Sequence, residues 1–180
     1  MSTNETCSRI APLLIWFRGI QYITATLKFI SSDPSGPLGL CAARYLQNVF
    51  AMPGGRWALF YVGNRLVLPT VGQCLKTTAN KNCRIALSSV LLNLASAVFE
   101  KGQAAVDETS PYELLHLLRD CIPVVQISGD NDSLYRLLVA MSTLLSCGFV
   151  KKEKMEINFE LLDVTDENCR GCMSDLKNLL

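Results

Sequence analysis

Asn80–Phe99 reads NKNCRIALSSVLLNLASAVF, and the spacing of its residues decides the fold. Wound as a helix, the stretch is apolar around most of its circumference, with Ile85, Ala86, Leu87, Val90, Leu91, Leu92, Leu94, Val98 and Phe99. One narrow polar stripe interrupts it, because Asn82, Ser89, Asn93, Ser96 and Glu100 recur at i+3, i+4 and i+7 steps. Such a helix belongs inside a stack of helices, covered on nearly every side. Its seam either meets solvent or lines a peptide-binding groove.

The flanking text is helical in both directions. Upstream, the periodicity predicts helices over Arg9–Ile30, Leu38–Phe50 and Arg56–Val67, with Pro69 starting a short one over Val71–Thr78. Pro, Gly and Ser make loops of Ser31–Gly39 and Met52–Gly55, and Met1–Ser8 reads as a frayed terminus. Downstream, a polar loop ends at Thr109, and Ser110-Pro111-Tyr112-Glu113 is a start signal with Ser110 as cap. That helix covers Tyr112–Cys121, with Pro123 bending or ending it. Ser128–Ser133 supplies a turn and a cap for a nearly all-apolar helix over Leu134–Cys147, closed by Gly148. Its polar stripe is Asp132, Arg136 and Thr143, with small Ala140 between. The stretch from Lys151 to Asn168 is more polar and reads as either a short strand or an irregular link, and Cys172–Leu180 is a last amphipathic helix.

Three of these helices carry Arg or Asn in an otherwise apolar surface: Arg44 and Asn48, then Asn93, then Arg136. They recur about 45 residues apart, within the 40–47-residue range of armadillo and HEAT repeats. The expected fold is therefore all-α, an armadillo/HEAT-like, right-handed superhelical solenoid in a single domain over residues 1–180. Stacking places equivalent helices along one surface. There Asn can bond the backbone of an extended peptide, and Arg can grip a carboxylate with two hydrogen bonds. The candidate peptide-binding residues are Arg44, Asn48, Lys81, Asn82, Asn93 and Arg136.

Charge says which peptide. The net charge is +1, but residues 1–99 hold nine Lys/Arg against two Asp/Glu, and residues 100–180 hold eight against fourteen. The halves thus carry +7 and −6, and the first attracts an anionic partner. Its basic residues are scattered and no nucleic-acid motif accompanies them, so an acidic peptide suits it better. Hydrophobic residues at 49% and charged ones at 18% argue for a packed domain over disorder. Leu13–Phe17 is too short an apolar run to span a membrane and lacks the flanks of a signal peptide. The eight cysteines are accordingly read as cytosolic thiols, with Cys41, Cys83, Cys121 and Cys147 acting as small hydrophobes.

Catalytic patterns are weak. Cys169-x-x-Cys172 is half of a zinc or redox motif with no second half, and the sole histidine, His116, falls on another helix. A cysteine nucleophile would need that histidine as its base, whereas a packed or half-exposed structural role is the simpler reading. No P-loop, GxSxG or HExxH occurs, so the expectation is a chain that is not an enzyme and uses no cofactor or metal.

Three blocks carry a resemblance: CAARYLQNVFAMPGGR (Cys41–Arg56), NKNCRIALSSVLLNLA (Asn80–Ala95) and DNDSLYRLLVAMSTLL (Asp130–Leu145). In order and spacing they resemble the PUL domain of the phospholipase-activating protein family, over Pro37–Leu180. The resemblance implies an armadillo-type adaptor domain, cytoplasmic and nuclear, serving ubiquitin-dependent protein turnover. Its groove would bind the acidic C-terminal tail of the hexameric AAA+ ATPase valosin-containing protein. In that family the domain follows a β-propeller and a ubiquitin-binding module, through which ubiquitin-pathway proteins would be reached. Some relatives join it instead to a thiol-dependent isopeptidase or a thioredoxin-like domain. The chain would then be the non-catalytic end of such a protein; a further alternative is an armadillo domain for a different acidic peptide.

Overall fold

The computed structural model describes residues 19, 21–52, 64–101, 109–147 and 166–179. Within them every regular element is a helix: α1 (21–32), α2 (Pro37–Ala51), α3 (Asn64–Thr77), α4 (Lys81–Lys101), α5 (Thr109–Ile127), α6 (Asn131–Ser146) and α7 (Glu167–Leu179). The expected chain end at Met1–Ser8, most of the helix over Arg56–Val67, the Gly148 cap and the link over 151–165 lie outside the described residues.

The helices form two layers. In one, α4 packs between α2 and α6, and α7 follows on α6; in the other, α3 packs on α5. Packing between every second helix is the signature of a solenoid, and the fold is an all-α, armadillo-like stack. Helix α4 sits at its centre because three of its sides are apolar. Leu87, Val90, Leu91, Leu94 and Ala95 are at most 1% exposed. Each large one contributes about 1.5–3 kcal/mol by leaving water.

Polar bonds tie the repeats together at the period visible in the sequence. Thr78 Oγ1 donates to the Pro34 carbonyl at 2.6 Å, 44 residues away, and Asn80 Nδ2 to the Ser35 carbonyl at 3.2 Å, 45 residues away. Asn93 Nδ2 reaches the Gln47 carbonyl at 3.2 Å and Arg84 Nε reaches Asp130 Oδ2 at 3.1 Å, both across 46 residues. Helix starts are satisfied by side chains: Asn80 accepts from Cys83 N, Asp130 from Ser133 N, and Asp166 from Cys169 N. Gly39 is the closest approach, since a Cβ there would run into the Asp33 carbonyl oxygen.

Several expected boundaries change. A single helix, α3, runs through Pro69 where two were expected, and α5 runs through Pro123 to Ile127. Both prolines are exposed, so the carbonyl left without its N–H partner can turn to water, and packing of the buried faces outweighs the break. Helix α5 starts at Thr109, which puts Ser110 inside the first turn instead of at the cap. Helix α7 starts at Glu167, five residues before Cys172, because Asp166 supplies the cap. Ala140 belongs to the core at 0% exposure and not to the polar stripe of α6. Cys41 is exposed, so it does not act as a core hydrophobe, and His116 is exposed as well.

Helix Lys81–Glu100 is long and apolar enough to cross a membrane, but 61% of it is buried inside the stack. Core position accounts for that composition.

Candidate functional site

At 100° per residue, Asn82, Ser89, Asn93 and Ser96 fall within about 60° of one another on α4. Along this strip Asn82 is exposed, as is Glu100 on the same line, Asn93 and Ser96 are half-buried and Ser89 is buried, while Lys81, Ile85, Leu92 and Phe99 beside it are exposed or half-buried. Ser89 is 8% exposed and Ser96 half-buried, and their hydroxyls donate to the Ile85 and Leu92 carbonyls one turn back. The strip lies at the edge of the side of α4 that neighbouring helices cover least.

The flanks of the strip are fixed by contacts to the adjoining helices. Asn93, with its amide on the Gln47 carbonyl, marks the edge facing α2. Arg44 and Asn48, on the exposed surface of α2, are one turn before and one residue after Gln47. On the opposite edge Lys81 pairs with Asp132 of α6 at 3.0 Å, both side chains 58% exposed. Arg136, half-buried one turn further along α6, donates Nη1 to the main-chain carbonyl of Asp132 at 2.6 Å. Arg136 and Asp132 thus meet through the backbone, and the carboxylate of Asp132 is held by Lys81.

Arg44, Lys81 and Arg136 consequently stand on three successive helices of one layer. With about 8–10 Å between neighbouring axes, Arg44 and Arg136 are separated by roughly 20 Å. An extended peptide covers that distance in about six residues. A shallow groove of about 430 Å³ lies elsewhere, lined by Thr24, Leu27, Lys28, Ser31, Ser32 and Thr70. None of the six candidate residues lines it.

Arg84 is the polar residue that periodicity missed. Its guanidinium donates to Asp130 Oδ2 and, through Nη1 at 2.8 Å, to the Thr78 carbonyl. The side chains are 13% and 1% exposed. Asp130 also accepts from Ser133 N and Ser133 Oγ, which makes it both helix cap and ion-pair partner. Its partner lies one repeat away in the sequence, so local spacing gave no sign of the pair.

The buried and half-buried thiols among the described residues are poorly suited to chemistry. Burial pushes Cys121 up from 9.0 to about 11. Burial first, then Asp166, pushes Cys169 up to about 12, and burial also raises Cys172. A nucleophilic or redox-active cysteine needs the opposite shift. Cys169 instead donates to the Asn131 carbonyl at 3.6 Å, joining α7 to α6. Among the described residues no group of three or more His, Cys, Asp or Glu is placed to hold a metal ion. Native-state alkylation near pH 8 should label Cys41 first among the described thiols, read by mass spectrometry. A Cys169–Cys172 disulfide, or faster labelling of that pair, would contradict this. Because the raised thiols stay protonated when folded, their stabilising contribution is complete below about 9. It is lost as pH rises toward 11, so stability falls over that range.

Comparison with known proteins follows the same outline. A phospholipase A-2-activating protein from Xenopus laevis is 33% identical over 129 residues, covering 71% of this chain. The chain corresponds to 15% of that relative's length. No solved structure matches. Residues 14–165 match the PUL domain family, a span that begins before the three quoted blocks and stops short of α7. It contains α1 to α6 and every candidate groove residue, and the chain belongs to the PUL domain family.

Proposed function

We propose that this chain is a single, non-catalytic adaptor domain that recruits the hexameric AAA+ ATPase valosin-containing protein by binding its acidic C-terminal tail. The chain is a protein-interaction domain by family. The observation that carries the finer reading is the open α4 strip, flanked by Arg44, Lys81 and Arg136 on one layer of the stack. An extended acidic segment laid across it meets cations at both ends and amide and hydroxyl groups between. Residues 1–99 contain two acidic side chains, and the acidic groups bordering the strip are Glu100 at its far end and Asp132 beside Lys81. The role is then recruitment in ubiquitin-dependent turnover, in the cytoplasm and nucleus, with ubiquitin-pathway contacts supplied by other domains. Redox chemistry at Cys169 and Cys172 themselves has no comparable support, since burial raises both thiols.

Calorimetric titration with a synthetic tail peptide tests this. Between about 0.1 M and 1 M salt the screening length falls from roughly 10 Å to 3 Å. Affinity should weaken at least tenfold across that interval, as expected for attraction between opposite charges. Absence of binding at low salt rejects the partner, and affinity unchanged by salt rejects the electrostatic groove.

A further inference from the structure

Two of the three groove cations converge on one acidic residue. Lys81 Nζ pairs with Asp132 Oδ2 at 3.0 Å, and Arg136 Nη1 sits on the Asp132 carbonyl at 2.6 Å. The neighbouring Asp130 is not free to compete, because Arg84 and Ser133 occupy it. Asp130 also caps α6, so the carboxylate of Asp132 is not required to start that helix. We propose that Asp132 is an internal competitor, a built-in carboxylate that occupies the Lys81 end of the groove until an acidic peptide displaces it. This rests on the groove reading above and adds a residue that sets its selectivity.

The physical logic is one of exchange. An exposed ion pair is weak, so Asp132 yields to a ligand without a large penalty. A ligand with one carboxylate gains almost nothing by replacing it, since one pair is formed and one lost. A ligand with several carboxylates displaces Asp132 and also reaches Arg136 and Arg44, so the exchange favours polyacidic segments. This discrimination comes from a residue that opposes the wrong ligand. Mutual pairing accords with the direction of both titrations: Lys81 is raised by Asp132, and Asp132 is lowered by Lys81.

The test compares the unaltered chain with Asp132→Asn, using the ATPase tail peptide and hexaglutamate as separate probes. Asp132→Asn should bind hexaglutamate about threefold to fivefold more tightly at low salt, the factor associated with one exposed pair. Adding Lys81→Ala should remove the gain, and the melting temperature should stay within a few degrees. If the tail peptide fails to bind but hexaglutamate shows this pattern, the ATPase partner falls and the Asp132 assignment stands. The assignment is overturned if neither probe gains affinity, if Asp132→Asn weakens binding, or if the gain survives Lys81→Ala.

Discussion

Arg84→Ala should lower the unfolding free energy by about 3–5 kcal/mol, the usual result of stranding one partner of a buried ion pair. Asp130 is 1% exposed as a side chain and cannot recover water when the guanidinium is gone. Ser133 still donates to it, but the Thr78 carbonyl loses the Nη1 donor too. The bond joins α4 to the loop that starts α6, so the damage falls on the junction of two repeats. Domains of this kind are stable by about 5–15 kcal/mol in total, and a large share would disappear. Urea unfolding followed by circular dichroism measures it. The double variant Arg84→Met with Asp130→Asn should recover part of the loss, because it removes the stranded charge while keeping a cap oxygen. A loss below about 1 kcal/mol for Arg84→Ala would mean that water reaches Asp130 once the guanidinium is gone.

The second large effect is on binding. Arg44→Ala and Arg136→Ala should each weaken the tail complex at least thirtyfold, as truncation of an interface Arg commonly costs about 2 kcal/mol or more. Neither change should shift the melting temperature much. Arg44 is exposed, and the bond made by Arg136 is a short exposed link within its own helix. The pair therefore separates recognition from folding, which Arg84→Ala cannot do. Normal binding by Arg136→Ala takes α6 out of the groove. Unfolding by Arg136→Ala would show instead that its hold on the Asp132 carbonyl is structural.

The sequence carried the architecture further than the site. Helix α4 was legible because an apolar surface with a single seam has one plausible environment. Cross-repeat bonds do span 44–46 residues, although of the recurring Arg and Asn residues only Asn93 makes one of them. Pro69 and Pro123 misled because local preference marks a break, whereas an exposed proline leaves a defect that solvent repairs. Ala140 was misassigned because a small residue fits either a groove or a tight helix crossing, and sequence spacing does not distinguish them. Arg84 was invisible for a different reason. A buried cation is tolerated only where its partner lies, and that partner arrives 46 residues later from another repeat. For the same reason Asn93 could be placed on the seam but not assigned its bond to Gln47.

The layered order of the helices has a consequence for how the molecule comes together. Among α2 to α7 every substantial contact joins helices that are neighbours or next but one along the chain. Among these helices no closure has to wait for segments far apart in the sequence to meet. Each closure spans about one repeat, and its entropic cost rises only with the logarithm of its length. Structure can nucleate on any adjacent pair and spread in either direction. The same arrangement makes opening local: α4, held from both sides, is the last to be released. Helix α7, packed chiefly on α6, can detach while α2, α4 and α6 stay assembled.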